Sequence, residues 1–201
     1  MRKEIVKYMH RLYQTNLTTS LGGNISCRNT ELSFYISPSS IDKASLSESD
    51  ILIINQEGNV VEGFHSPSME YLMHLYVYKQ RPDVNAIIHA HPFYSTLFSA
   101  SNSSINLSYT SEAYKNIATI GVAKYYTMGT TELANEVSKI SKTHNVILME
   151  NHGVLTVGKS LLEAFYRLEV LEQAARMTFY SISLPLNELT EANKNQLNKM
   201  M

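Results

Sequence analysis

The sequence contains almost no cysteine: Cys27 is the only one in 201 residues, so no disulfide can form within the chain. A single thiol without a disulfide framework is typical of a reducing compartment. Cys27 lies in a short apolar segment with no identifiable base, and we interpret it as structural. Charges interrupt the N-terminal residues too often for the apolar region of a signal peptide. We therefore expect a cytoplasmic protein.

Charged residues and long apolar runs are also scarce. The charged fraction is 17 % and the net charge at pH 7 is −1, which gives neither the basic surface that nucleic acids bind nor a polybasic membrane signal. No apolar run approaches the ~18 residues that a membrane span requires. We expect neither a nucleic-acid nor a membrane partner. The hydrophobic fraction of 44 % is that of a globular domain.

Internal repeats, low-complexity linkers and the common nucleotide and hydrolase motifs are absent from the sequence. Apolar residues at helical spacing predict helices over 2–15 and 131–143, and a long helix that starts at Ser160. A buried strand is predicted over 84–91, and the turn at Gly58 indicates antiparallel pairing. These elements predict an α/β fold with three layers, in which helices cover both faces of a mostly antiparallel or mixed central sheet.

The motif His89-Ala90-His91 is the sharpest chemical signal in the sequence. On a strand, residues i and i+2 point to the same face, so both imidazoles would converge at the end of the strand, where Pro92 stops the ladder. Neutral imidazole nitrogens are donors that divalent transition metals prefer. From this motif alone, a metal site and two incidental histidines are equally good interpretations.

A third metal ligand is harder to choose. His152 precedes Gly153 in a tight turn between two apolar strands, and it could point back at the end of the sheet. A histidine in such a turn is more often held by a hydrogen bond than by a metal. Other histidines leave the choice open: His10, His65, His74 and His144.

Glu70 follows Ser66-Pro67-Ser68, which we predict to open the second helix. An acid in the first turn of a helix is favoured by the helix dipole alone. The same position on a rigid element also suits a metal ligand or a general base. His74 lies one turn further on the same face and could orient Glu70, or it could be an unrelated core histidine.

Small polar residues suggest an anion site. Gly22-Gly23-Asn24 allows a close approach of the backbone to a ligand. Ser39, Ser40 and Ser68 supply hydroxyls, and Ser68 lies near a helix N-terminus, where phosphate binds well. Each of these signals is weak by itself, because such residues are common in turns.

Taken in order, these motifs resemble the class II aldolase/adducin-head family over roughly residues 5–180. No single motif is decisive, but the ordered set is specific. The matching segments are Gly23-Asn24-Ile25-Ser26, Ile36-Ser37-Pro38-Ser39, Pro67-Ser68-Met69-Glu70 with His74, Arg81-Pro82-Asp83-Val84, His89-Ala90-His91-Pro92, Gly129-Thr130-Thr131-Glu132-Leu133 and Asn151-His152-Gly153-Val154.

The resemblance implies a single domain of this family over residues 1–201 and a metal site formed by His89, His91 and His152. It implies one Zn²⁺ per subunit, with Co²⁺ or Mn²⁺ as possible substitutes. Glu70 matches the acid/base carboxylate of the family, which can also occupy the fourth position on the metal. Tyr109, with Tyr114 close by, falls where the aldolases place a catalytic tyrosine that reaches into a neighbouring subunit. The family's aldolases are homotetramers with sites at subunit interfaces, and we expect that assembly here.

The implied reaction is the cleavage of a small ketose 1-phosphate to dihydroxyacetone phosphate and an aldehyde. In that mechanism the zinc ion stabilises the enediolate left when the C–C bond breaks, so no Schiff-base lysine is needed. Glu70 transfers the proton at the enediolate carbon, and Tyr109 transfers the proton of the hydroxyl that becomes the aldehyde.

Two departures from the family pattern affect the implied phosphate site, which consists of Gly23, Asn24, Ser39, Ser40 and Ser68. The family usually has glycine where Ser40 stands, and often has a second serine where Met69 stands. Whether the substrate is phosphorylated is therefore open, as are the aldehyde, the stereochemistry and the native metal.

Three alternatives to the aldolase remain. A methylthioribulose-1-phosphate dehydratase shares the three histidines and the glutamate. A pentulose-phosphate 4-epimerase tends to carry aspartate where this chain has Glu70. A metal-free adducin-like interaction domain does not keep the histidines as a set, and it is the most remote alternative.

Overall fold

The computed structural model describes residues 1–200, in which eight strands form one mixed sheet. The sheet order is β4-β3-β2-β1-β5-β8-β7-β6, and every neighbouring pair is antiparallel except β6 and β7. The α/β fold with a mostly antiparallel sheet is confirmed. The strands are β1 (Asn24–Thr30), β2 (Ser33–Ile36), β3 (Leu52–Asn55), β4 (Val60–Glu62), β5 (Ala86–Ala90), β6 (Gly121–Ala123), β7 (Val146–Met149) and β8 (Gly153–Gly158).

Seven helices accompany the sheet within residues 1–200, and none of them combines the length and apolar character required to cross a bilayer. The longest begins where the sequence predicts, because the Ser160 hydroxyl accepts a hydrogen bond from the Glu163 amide. The helices are α1 (Arg2–Gln14), α2 (Tyr71–Gln80), α3 (Phe93–Ser99), α4 (Ser111–Ile117), α5 (Thr131–Ser141), α6 (Leu161–Tyr180) and α7 (Glu191–Asn198).

The sheet has a hydrophobic core on each face. Successive strand residues point to opposite faces, so Ile88 packs with α1, α3, α4 and α6, whereas Ile87 packs with α2 and α5. Strand β7 is buried at all four residues, as expected for a strand covered on both sides. His89 shares the face of Ile87, which places it on the side of α2.

The expected start of the second helix is wrong: α2 begins at Tyr71 and not at Ser66. Residues 66–68 instead run along the segment after β2, where Pro67 forms a bridge with Pro38 and the Ser39 amide donates to the Ser66 carbonyl at 3.0 Å. This pairing competes with helical hydrogen bonding. As a result Glu70 is the N-cap residue of α2 rather than a member of its first turn.

Ser40 follows this paired segment with a left-handed backbone, at a φ of +56°. A non-glycine residue in this region costs about 1–3 kcal/mol. We expect Ser40→Gly to raise the free energy of unfolding by about 0.5–1 kcal/mol, because the strain relieved exceeds the extra entropy of the unfolded chain. Denaturant unfolding at one fixed protein concentration measures the change.

Ser104→Gly is the matched control, because Ser104 is an exposed loop residue outside the left-handed region. This variant gains only unfolded-state entropy, so we expect it to be neutral or slightly destabilised. Equal destabilisation of both variants would show that no relievable strain is stored at residue 40.

Candidate active site

Three histidines converge where β5 ends and β8 begins. In the antiparallel register of these strands Ala90 lies opposite Val154, so the residue after β5 and the turn before β8 meet at one edge. That turn contains Asn151 at a φ of +54° and a hydrogen bond from the His152 amide to the Met149 carbonyl at 3.1 Å. Candidate ligand atoms of His89, His91 and His152 all lie within 4.8 Å of one another.

Glycine is required beside this cluster. A Cβ atom on Gly153 would lie 2.5 Å from Cδ2 of His91, and one on Gly22 would lie 2.8 Å from Nδ1 of the same ring. Two glycines from different segments therefore leave the space in which the His91 ring stands.

Glu70 adds a carboxylate to the three rings. Its Oε2 atom lies 3.0 Å from Nε2 of His89, and its Oε1 atom lies 3.0 Å from Nε2 of His152. Oε2 also accepts a hydrogen bond from Nδ2 of Asn24 at 3.1 Å. Oε1 is buried and, within residues 1–200, makes no well-aligned hydrogen bond.

The donor set fits a divalent transition metal. Nδ1 of His89 lies 2.8 Å from the Val154 carbonyl, which can only accept, so Nδ1 carries the proton and a neutral ring keeps its Nε2 lone pair for the site. Nε2 of His91 lies 3.0 Å from Nε2 of His89. Converging imidazole nitrogens beside a carboxylate are the donor types found in catalytic metal sites with an exchangeable position.

Burial and the charges of neighbouring groups shift the pKa values of the site residues in different directions. Burial, reinforced by positive charge on His89 and His152, lowers the pKa of His91 to about 3, so its ring is neutral and able to coordinate. Burial disfavours the ionised form of Glu70, but His89 and His152 outweigh it and hold the pKa of the carboxyl well below its ordinary value. Burial likewise opposes protonation of His89, and the Glu70 carboxylate overcomes it and raises the pKa of that ring.

A cavity of about 360 Å³ opens beside the cluster. Four of the five residues expected to bind an anion line it, together with Met69, Glu70, His91 and His152: Gly23, Asn24, Ser39 and Ser68. The fifth, Ser40, is exposed and lies outside this lining. The departure from the family pattern at residue 40 therefore affects the backbone more than the cavity, whereas the departure at Met69 affects the cavity wall.

A buried cation that the sequence pattern does not predict also lines this cavity. Lys43 lines it, is only 1 % exposed, and donates from Nζ to the Pro38 carbonyl at 3.1 Å. Among residues 1–200 no carboxylate lies within 4.0 Å of its ammonium group. Burial lowers the pKa of Lys43, and Asp42 opposes the shift. No sequence signal distinguished Lys43, because it stands in a short polar segment without periodicity.

His74 contacts Asn24 instead of Glu70. Its Nε2 atom lies 2.5 Å from Oδ1 of Asn24, and its Nδ1 atom lies 2.6 Å from the hydroxyl of Ser26. Its influence on Glu70 therefore passes through the Asn24 amide. Ser26 was not singled out from the sequence, because a serine in an apolar strand carries no signal of its own.

Tyr109 lies apart from this cavity in its own chain. It ends a short 3₁₀ helix, Leu107–Tyr109, and is not among the residues that line the cavity. Neighbouring Tyr114 belongs to α4, where its hydroxyl accepts a hydrogen bond from Nδ2 of Asn198 at 3.4 Å.

Comparison with known proteins identifies the family. The model of the class II aldolase and adducin N-terminal domain matches residues 3–179. An L-fuculose phosphate aldolase from Methanocaldococcus jannaschii is 35 % identical, over 90 % of this chain and 97 % of that protein. A 5-deoxy-D-ribulose 1-phosphate aldolase from Bacillus thuringiensis is 33 % identical, over 91 % of this chain and 86 % of that protein.

A solved structure of an L-fuculose 1-phosphate aldolase superimposes with a TM-score of 0.88 at 33 % identity, covering 99 % of this chain and 94 % of that one. The sequence match and the shared fold agree with the site geometry. The chain belongs to the class II aldolase and adducin family, and it is an enzyme of the metal-dependent lyase type.

Proposed function

We propose that this enzyme is a zinc-dependent aldolase that cleaves a small ketose 1-phosphate into dihydroxyacetone phosphate and an aldehyde. One observation carries the proposal: His91, His152 and Glu70 line a cavity together with hydroxyls and a buried ammonium group, and the buried His89 contacts Glu70. The first group suits a metal and the second suits a phosphate. The names of relatives, which are aldolases of L-fuculose phosphate and 5-deoxyribulose 1-phosphate, support the same substrate class.

His89, His91 and His152 are the residues that would hold the metal. Three imidazole nitrogens with a carboxylate favour Zn²⁺, with Co²⁺ or Mn²⁺ as substitutes. A bound divalent ion supplies a Lewis acid for the substrate carbonyl and for the negative charge that develops beside it.

Glu70 is the proposed acid/base at carbon. When the bond between C3 and C4 of a 2-ketose breaks, C3 gains a proton and the C4 hydroxyl loses one, so the two transfers balance. Oε1 of Glu70 is the oxygen suited to the C3 proton, because Oε2 contacts both Asn24 and His89 whereas Oε1 contacts only His152.

Tyr109 is the proposed group for the C4 hydroxyl proton. Since it does not line the cavity of its own chain, this role requires a neighbouring subunit, and it accompanies the proposal of a homotetramer with sites at subunit interfaces. Tyr114 is the alternative tyrosine for the same role.

The substrate phosphate is proposed to bind among Gly23, Asn24, Ser39, Ser68 and Lys43. A buried ammonium group without a carboxylate partner is costly, and an anionic ligand in the same cavity offsets that cost. Charge-assisted hydrogen bonds to phosphate are also stronger than those from neutral hydroxyls.

The reaction is tested with zinc-loaded protein and a panel of ketose 1-phosphates, with dihydroxyacetone phosphate release followed by a coupled reductase. We expect release from at least one sugar, its loss on chelation and its return when Zn²⁺ is added. Absence of release from every sugar, with zinc bound, would contradict the aldolase. Dehydration would then be favoured, and NMR would detect it as the appearance of a second carbonyl carbon in the product.

Metal binding in this assay has its own control. His91→Ala removes one converging nitrogen, so we expect substoichiometric zinc and no turnover. His144→Ala removes a histidine that bonds only near its own helix end, and it should keep full zinc content and activity.

Substitution Glu70→Gln tests the proton transfer. The amide keeps the shape of the side chain but cannot exchange the proton, so we expect metal retention and a decrease in kcat of about 10²–10⁴-fold. Steady-state kinetics and metal analysis measure the two quantities. Glu136→Gln on α5 makes the same chemical change away from the cavity and should have no effect. Unchanged kcat in Glu70→Gln would remove Glu70 from the mechanism.

Substitution Lys43→Met tests the phosphate assignment. Methionine fills similar space without charge, so we expect KM for the ketose phosphate and Kd for inorganic phosphate to rise by about 10–100-fold, the value of a charged hydrogen bond. Calorimetric titration of phosphate gives Kd without turnover. Lys139→Met, on the exposed face of α5, is the matched control. Equal phosphate affinity in wild type and Lys43→Met would limit Lys43 to its contact with Pro38.

A further inference from the structure

A chain of hydrogen bonds leads from the interior of the protein to Glu70. The Tyr78 hydroxyl lies 2.8 Å from the Ser26 hydroxyl, which lies 2.6 Å from Nδ1 of His74. Nε2 of His74 lies 2.5 Å from Oδ1 of Asn24, and Nδ2 of Asn24 lies 3.1 Å from Oε2 of Glu70. All five residues are buried, and of the five only Asn24 and Glu70 line the cavity.

The direction of every hydrogen bond follows from chemistry at the two ends. An ionised Glu70 only accepts, so Asn24 must present its NH₂ group to the carboxylate and its carbonyl oxygen to His74. Nε2 of His74 is then the donor. Because Nε2 carries the proton of the neutral ring, Nδ1 is the acceptor. The Ser26 hydroxyl therefore donates a hydrogen bond to Nδ1 and accepts one from the Tyr78 hydroxyl.

We propose that His74, held by Ser26 and Tyr78, is a positioning residue that fixes the amide of Asn24 and through it the Glu70 carboxylate. The inference rests on the proposed role of Glu70 in proton transfer. His74 touches neither the converging histidine nitrogens nor the cavity, so it acts only through Asn24.

The state of His74 supports this polarity. Burial lowers the pKa of His74 to about 3, so the ring is neutral and has one donor nitrogen and one acceptor nitrogen. A reversed Asn24 amide would place its carbonyl oxygen against the carboxylate and its NH₂ group against the donating Nε2. Both contacts would be repulsive, so an Nε2-protonated ring and the ionised carboxylate favour the same amide orientation.

A purely structural explanation of this network is less satisfactory. Buried polar residues of this kind contribute less stability than an apolar core of the same volume, and they are favourable only when every member is paired. Here the network ends on the one carboxylate that the reaction uses. Asn24 also lines the cavity, so the second N–H of its amide is available to a ligand while the first holds Glu70.

Histidine NMR tests the polarity without any turnover. In metal-free, ¹⁵N-histidine-labelled protein we expect His74 in the Nε2–H tautomer, because the Asn24 carbonyl oxygen requires a donor at Nε2. A wild-type His74 with Nδ1 protonated would overturn the inference while leaving the aldolase proposal intact. Conversely, if His74 has the expected tautomer but the protein cleaves no ketose phosphate, the hydrogen-bond network is supported and the aldolase proposal is contradicted.

Kinetics of zinc-loaded variants test the effect on Glu70. We expect His74→Phe to lower kcat by about 10–100-fold with KM changed less than about threefold, the usual loss when a supporting residue is removed. His74→Gln keeps an N–H donor for Asn24, and it should recover most of kcat. An equal decrease of kcat in both variants, or a rise of KM with kcat unchanged, would contradict the positioning role.

Tyr78→Phe covers the case in which His74→Phe fails to fold, because it removes a single oxygen. We expect kcat to fall about two- to tenfold, the value of one neutral hydrogen bond. Tyr76→Phe makes the same change on the same helix, at a hydroxyl without a hydrogen bond among residues 1–200, and should leave kcat unchanged. Identical kcat in the two variants would contradict a network that extends to Tyr78.

Discussion

The antiparallel pairing of β5 with β8 is the constraint on which the site depends. It places the end of one buried strand beside the turn that starts another, so histidines 61 positions apart in sequence (His91 and His152) share one edge. The pairing is secured by apolar side chains on both faces of the sheet. Hydrophobic packing therefore holds in place the strand end and the turn from which the three candidate ligands project.

Preorganisation of this kind has an electrostatic cost. Glu70 and Lys43 are both buried, and the charged form of each side chain would be more stable in water than in the protein interior. Histidine neighbours compensate the carboxylate, whereas the ammonium group has only the Pro38 carbonyl among the described residues. The cavity lining thus includes one group of side chains that suits a cation and one charge that suits an anion. The proposed substrate, which carries a carbonyl and a phosphate, would compensate both.

Much of this arrangement could be predicted from local pattern. The period of two explains why His89 and His91 point away from Ile88, and the ordered motifs imply the family and its histidine set. The start of α2 could not be predicted, because the pairing of Pro67 with Pro38 joins segments 29 residues apart. The surroundings of Lys43 and Ser26 could not be predicted either. Both side chains contact groups that are brought together only by the fold, and neither residue type nor sequence spacing indicates those contacts.

The two departures from the family pattern have different physical consequences. Ser40 is exposed, so its side chain takes nothing from the cavity and its effect is confined to a left-handed backbone. Met69 does line the cavity, where a thioether cannot donate the hydrogen bond of a serine hydroxyl. One lost neutral donor is worth about 0.5–1.5 kcal/mol, and one charged donor about 1.5–3 kcal/mol. By magnitude, therefore, one charged donor at Lys43 outweighs the neutral donor that is absent at Met69, which supports the proposal of an anionic substrate.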